Sequence, residues 1–514
     1  MNLRFNNRRP VLLIVLAVLF CIAIAAMPFV GHKQWRALSE AKTSVIEQGK
    51  AAAPTLAIDK LLNPAGAGSI APHFTRTPDG RVLLSWLEPQ GNAEYALRFA
   101  IRQGKAWTEA RTITTRRNFM KHPAELPVVT KLSENNFVAL WTQGKGTGSE
   151  GEDVYASGSR DGGQTWSAPV RVHQDDSKEE HGLVSMVPAD ADHVTIIWLD
   201  GRDGKTTQLR QATLKADGSV KDETALDRDV CSCCPTSIVR TGDGLLLAYR
   251  DHTPDDIRDI ATLRFSNGRW SEPRVLHHDG WKINGCPMNS VQLAIFGRRV
   301  AAAWFTAANN QALVKIAFSN NAGESFNVPL QVNQGQALGR ASVVWPSIES
   351  AIVAWAEKSE QGSRILLRQI SPDGQATKPI TVATGTKAFP RLERDGDQVM
   401  ITWADAAGVQ TSVVQFAQPE VVSISSPVSS SVAASDPQRY QFRGKVISID
   451  LKPLQVTVEH EAVAGYMEAM TMKFPLKDER LSAVLKPGDL IQATLVVMQT
   501  SGQWWLEDVV VNRK

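Results

Sequence analysis

Seven short apolar runs, each ending in an aromatic residue, recur through the middle of the chain. They are Val82–Trp86, Phe137–Trp141, Val194–Trp198, Leu245–Tyr249, Val300–Trp304, Ala351–Trp355 and Val399–Trp403. Their spacing of about 50 residues is that of a four-stranded blade in a radially repeated sheet protein. Turn formers precede them, as in Pro78-Asp-Gly80 and Thr241-Gly-Asp-Gly244, and a further strand follows most of them, as at Ala96–Arg102, Leu313–Phe318 and Ile365–Ile370. Near-continuous apolar runs predict strands buried on both faces, here between neighbouring blades. The expectation is an all-β fold: a seven-bladed β-propeller over residues 55–418, with a six-bladed ring as the alternative.

Two blades carry a further signature. Ser159-Arg-Asp-Gly-Gly-Gln-Thr-Trp166 resembles the Asp box (BNR repeat) of sialidase-like propellers, and Ser319-Asn-Asn-Ala-Gly-Glu-Ser-Phe326 is a degenerate copy. In such a box the Asp accepts backbone hydrogen bonds in a tight turn, Gly supplies a positive φ and the aromatic packs into the blade. The resemblance therefore speaks for the fold and little for function. Sialidases need an arginine triad and a Tyr/Glu pair. The first blade reads Ala71-Pro-His-Phe-Thr-Arg76, and no arginine holds the strand-start position in the first five blades. Sialidase chemistry is not expected.

The chain has 514 residues and a formal charge of +3, with no basic stripe, so nucleic acid is excluded as a partner. Arg4, Arg8 and Arg9 precede an apolar stretch from Val11 to Val30, which His32 and Lys33 end. That length spans a bilayer, and the arginines favour a cytoplasmic amino end. Residues 1–33 are expected to be one transmembrane anchor in the inner membrane, with the bulk of the protein in the periplasm. The alternative is a cleaved signal segment and a soluble periplasmic protein. Residues 419–438, rich in Ser, Val, Ala and Pro, read as a linker, and residues 439–514 as a separate small domain.

That small domain holds the clearest chemistry. His460 continues the apolar face of Val456 and Val458; Met470, Met472 and Phe474 share a face of a second strand, with Met467 just before it. Thioethers are soft, uncharged ligands that suit Cu(I) and Ag(I), though methionine also fills small cores. The segment resembles the periplasmic copper/silver chaperones of the CusF type. The resemblance is carried by Gly444–Asp450, Val456–Val458, His460, Met470-Thr-Met472, Phe474, the Leu485–Asp489 turn and the closing strand from Trp505 to Val511. It implies an OB-like barrel whose His460, Met470 and Met472 bind Cu(I). Where the family has a capping tryptophan this chain has Met467, which would add a fourth ligand, a third sulfur, in place of the cap.

Aligning the repeats on their aromatics gives the strand starts at one propeller mouth: Pro72-His73, Lys121-His122-Pro123, Glu180-His181-Gly182, Cys233-Cys234-Pro235 and Gly285-Cys286-Pro287. His73, His122, His181, Cys234 and Cys286 would then face one opening, with Cys231 and Cys233 beside them. Histidine and cysteine hold copper or zinc. Four exported cysteines also pair in three ways, and Cys286 is expected within disulfide reach of Cys231, Cys233 or Cys234. Arg250, Asp251 and His252 on the following loop are further rim candidates.

The sequence thus reads as an exported, membrane-tethered copper-handling protein rather than an enzyme. Its barrel would exchange Cu(I) with a periplasmic or membrane copper protein or with the propeller mouth. The rival readings are a sialidase-like glycan hydrolase and a protein-docking propeller with the barrel as accessory.

Overall fold

The computed structural model describes residues 56–145, 151–385, 389–416, 422–423, 438–451, 454–463, 467, 469–476, 481, 485–497 and 504–512. The expected anchor, residues 1–33, lies outside them. Among the described residues no helix is long and apolar enough to cross a membrane.

The architecture is all-β. Seven antiparallel sheets follow one another along the chain, and an eighth, five-stranded sheet ends it. The aromatic-ended runs are the second strand of each of the seven sheets, among them Val82–Gly91, Phe137–Gly144, His193–Asp200 and Ala351–Ser359. The first strands touch in sequence order, and the first strand of the first sheet (Ile70–Arg76) also touches that of the seventh (Arg391–Asp395), so the sheets form a ring. Closure is made by Ala57–Leu61, which pairs with Gly408–Gln415 as the outer strand of the seventh sheet. No sequence signal pointed to that closing strand.

The recurring aromatic is a packing and bonding device. Trp86, Trp141, Trp198, Trp304 and Trp355 are almost completely buried between sheets. In four sheets the indole N–H donates two residues along its own strand: Trp86 to Glu88, Trp141 to Gln143, Trp198 to Asp200 and Trp355 to Glu357. A buried indole needs such an acceptor, which accounts for Trp rather than Phe at these positions.

The Asp-box turn is satisfied by Asp161. Its Oδ1 accepts from Ser159 Oγ, Gln164 N and Thr165 N at 2.8–3.0 Å, while Gly163 sits at φ +81° and Trp166 packs edge-on to Phe99. Gly162 N donates to Asn135 O at 2.9 Å. The box therefore lies beside the turn between the first two strands of its sheet, at the end away from Lys121–Pro123.

The eighth sheet runs in the order Met470–Pro475, Leu454–His460, Gln438–Leu451, Leu490–Val497, Trp504–Asn512. A parallel bridge from Leu476 to Leu506 brings its two edges together. Its core is its own: Phe442, Val446, Val456, Val458, Phe474, Leu495 and Leu506 are buried together. Of the expected linker, Val422–Ser423 and Gln438 are described; Val422–Ser423 pairs with Gln375–Ala376 on the sixth sheet, and Gln438 begins the Gln438–Leu451 strand.

Candidate metal centre

His460 ends its strand opposite Met470, and Val458 stands opposite Met472. Opposed residues of an antiparallel pair project to one face, as do alternate residues along a strand. His460, Met470 and Met472 therefore share a face. The imidazole is 3% exposed, with the rings of Phe442 and Phe474 at 5.2 and 5.4 Å. Its Nδ1 lies 2.8 Å from the Glu461 carbonyl oxygen. That bond assigns the proton to Nδ1 and leaves Nε2 as a lone pair, and Nε2 is buried with no hydrogen-bond partner among the described residues. Burial lowers the His460 pKa, which keeps the imidazole in its ligating form. An orphaned buried polar atom costs about 1–3 kcal/mol; a soft cation held with two thioethers would satisfy it. The donor set fits Cu(I).

Met467 is placed differently. Its backbone exchanges hydrogen bonds of 2.8 and 3.1 Å with Val463; its side chain, like that of Met472, packs against the core of the eighth sheet, but unlike Met470 and Met472 it does not line the cleft described next. The cleft described next is lined on the barrel side by Glu459, His460, Ala469, Met470, Thr471 and Met472.

This cleft has a volume of about 1490 Å³ and is walled on its far side by the ring, including Met120, His122, Cys233, Arg258, Cys286 and Met288. The Trp504 ring of the barrel comes within 3.7 Å of where a Cβ on Gly285 would stand. The soft donors of both parts thus look into one space. Met120 was missed in the sequence, although it directly precedes the rim segment Lys121-His122-Pro123. Carboxylates line the cleft as well: burial raises Glu125 to about 7 and pushes Glu152 well above the ordinary range.

The cysteines divide into two pairs. Cys233 and Cys286 form a disulfide, Cα atoms 5.9 Å apart, that joins the fourth and fifth sheets' leading loops. Cys231 and Cys234 are free and buried, sulfur to sulfur 3.6 Å apart, and Cys231 Sγ is 3.9 Å from Cys233 Sγ. Arg258 Nη1 donates to Cys231 at 3.3 Å. The hydrogen bond with Cys234, with Arg258 and Arg250 nearby, draws the Cys231 thiol down to about 5; burial pushes Cys234 up.

The structure does not gather all the rim residues expected at one opening. His122 and Cys286 line the cleft, with Cys233 rather than Cys234. His73 lines the central channel of about 620 Å³ beside Arg391, where burial and that guanidinium lower its pKa to about 3. His181 is fully buried and stacks on His173, centroids 3.7 Å apart, inside a cage of Asp153, Asp175 and Asp200. The reason is local. Pairing shifts register between Ile70 and His73 and between Gly182 and Ser185, where Ala71 and Leu183 hold positive φ. Such bulges insert a residue at the strand start, and one residue turns a side chain to the other face.

Arg250, Asp251 and His252 do not line the cleft. Arg250 is buried and donates to the carbonyls of Arg258 and Phe305 at 2.7 and 2.8 Å; its role is structural. His252 lies between Asp229 and Asp256 at 2.7 and 3.3 Å.

Comparison with known families agrees with this division. BNR repeat-like domains match residues 88–401. The chain belongs to the BNR repeat-like family. Behind its BNR region, residues 439–506 match the copper binding periplasmic protein CusF, so the C-terminal domain is a CusF copper-binding domain. No curated protein matches the chain. Among solved structures, the chain is similar to a GH93 alpha-L-arabinofuranosidase of Fusarium graminearum, at 14% identity over 70% of this chain and 98% of that one, with a TM-score of 0.39. It is also similar to the NanB sialidase of Streptococcus pneumoniae, at 9% identity over 69% and 70% of the two chains, TM-score 0.37. Apo-CusF from Escherichia coli is similar at 26% identity over 16% of this chain and 98% of its own, TM-score 0.14.

Proposed function

We propose that this is an exported copper-handling protein, in which an OB-like barrel, residues 439–514, binds Cu(I) through His460, Met470 and Met472. Ag(I), of like softness, would occupy the same ligands. The observation that carries the reading is His460 Nε2, buried and with no hydrogen-bond partner among the described residues, on the face shared with the two methionines. Thioethers need no deprotonation and the buried imidazole is already neutral, so binding persists into mild acid. The seven sheets are read as the blades of a propeller over residues 55–418 that presents its own soft donors across the cleft. Residues 1–33 are read as an inner-membrane anchor and 419–438 as a tether that keeps the barrel's effective concentration at the cleft high.

The test is Cu(I) titration of the full protein against a competing chelator. One tight barrel site is expected, and Met470→Ile with Met472→Ile, close in volume and apolar, should abolish it without unfolding the protein. Unchanged affinity in the double variant would refute the assignment.

A further inference from the structure

Four cysteines stand within a few ångströms of the cleft wall, in two oxidation states. Cys231 and Cys234 have the C-x-x-C spacing of dithiol redox motifs, are buried and carry free thiols. Between them in sequence is Cys233, already bonded to Cys286. The two kinds of sulfur are placed for exchange: Cys231 Sγ lies 3.9 Å from the disulfide sulfur of Cys233 and 3.6 Å from Cys234 Sγ. Arg258 Nη1, 3.3 Å from Cys231 Sγ, sets a cation beside the sulfur that would attack. Disulfide exchange needs a nucleophilic sulfur in reach of one bonded sulfur and a second thiol to resolve the mixed product. Both are present.

We propose that these cysteines form an exchange relay that moves the disulfide from Cys233–Cys286 to Cys231–Cys234, converting the cleft wall opposite His460, Met470 and Met472 into a dithiol that accepts Cu(I). In the first step Cys231 sulfur attacks Cys233 sulfur: the Cys231–Cys233 bond forms, the Cys233–Cys286 bond breaks, and the electron pair leaves on Cys286. In the second, Cys234 sulfur attacks Cys231: the Cys231–Cys234 bond forms and Cys233 leaves as thiolate. The protons shed by the attacking thiols pass to solvent. One disulfide and two thiols stand on each side, so no external oxidant or reductant is needed. What changes is location. The buried pair becomes the disulfide, while Cys233 and Cys286, which line the cleft with Met288, become free. Thiolate is the stronger ligand for Cu(I), so metal capture draws the exchange forward and sets a direction of transfer from barrel to ring. The copper part of this proposal rests on the Cu(I) reading of the barrel; the exchange does not.

The experiment uses the full-length protein purified without reductant. It is titrated anaerobically with Cu(I), quenched in acid, digested with pepsin and mapped by mass spectrometry. Before copper, the Cys286 peptide is expected to be cross-linked to the peptide holding Cys231, Cys233 and Cys234. With a second equivalent of Cu(I) it should be released, the other peptide should carry an internal Cys231–Cys234 bond, and free thiols among these four cysteines should stay at two. Cys231→Ser should keep Cys286 cross-linked throughout. Cys234→Ser should stop at the Cys231–Cys233 bond, with Cys286 free. A Cys286 peptide that stays cross-linked through the titration, or that is released equally in Cys231→Ser, overturns the relay. Failure of the barrel reading looks different: the first equivalent is unaffected by Met470→Ile with Met472→Ile, while the map still shifts. Failure of the relay shows as a normal first equivalent with an unmoved map.

Discussion

The ring and the barrel each bury a histidine almost completely, and they surround it with opposite chemistry. His181 sits in the ring with its Nε2 3.2 Å from Asp175 and 3.5 Å from Asp200, inside a cage that Arg202 and Lys145 balance. His460 sits in the barrel among Phe442, Phe474 and two thioethers, one nitrogen on a carbonyl and the other with no hydrogen-bond partner among the described residues. The His181 ring also has Nδ1 on carbonyl oxygens and Nε2 without a hydrogen-bond partner among the described residues, but carboxylates face it, where thioethers share the face of His460. Burial and an orphaned nitrogen do not by themselves say what a histidine holds; the company it keeps does.

The largest effects should come from exchanging the two fates. His181→Leu leaves Asp175 and Asp200 facing an apolar side chain, and breaking a buried ionic network costs about 3–5 kcal/mol. Denaturant unfolding should show that loss, while the barrel's Cu(I) affinity stays as it was. His460→Leu should do the reverse. Cu(I) affinity should fall more than the roughly 10–100-fold typical of losing an outer-shell partner, with a stability change of about 1 kcal/mol or less, because an unsatisfied polar atom is removed. A His460 variant that unfolds the protein but keeps its copper affinity would invert the comparison.

A smaller effect is expected with pH. Burial and Arg391 hold His73 at about 3 in the folded ring, against an ordinary 6.5. The unfolded chain therefore binds a proton that the folded one refuses. His73 contributes stability fully above pH 6.5 and loses it as pH falls toward 3. His73→Asn should flatten that part of the stability curve, as read by thermal melts across the range. The least effect should come from Met467→Ile: with its side chain off the cleft that Met470 and Met472 line, it should lower Cu(I) affinity less than Met470→Ile or Met472→Ile. An equal loss would show a third sulfur at the metal.

Much of this was legible in the chain. The aromatic-ended runs located the second strand of every ring sheet because a doubly buried strand must be a continuous apolar run, a signal that survives without tertiary context. The His460, Met470 and Met472 constellation was legible because two-residue periodicity fixes which side chains share a strand face. The rim was not, and the cause lies in the bulges at Ala71 and Leu183. A fixed repeat phase assumes even strand starts, whereas a bulge breaks the count; His73 lies after its bulge and His181 before the corresponding one, so the first lines the channel and the second is buried among carboxylates. The pairing of Cys233 rather than Cys234 with Cys286 depends on the same loop geometry. Closure by Ala57–Leu61 was invisible because its partner, Gly408–Gln415, is almost the whole ring away in sequence.

That closure has a mechanical consequence. Ala57 is paired with Gln415 and Leu61 with Thr411, so the chain enters the ring and leaves it for the barrel at the same end of one antiparallel pair. Tension between the amino-terminal segment and the barrel is therefore not shared among the seven sheets. It falls first on the two-residue pairing of Val422–Ser423 with Gln375–Ala376 on the sixth sheet, and then on the closing ladder in the unzipping direction, where hydrogen bonds yield one after another instead of together. The seam that completes the ring is its mechanical fuse: once that short pairing is released, a pull on the two ends would open the seventh sheet, while the first five sheets lie outside the loaded path.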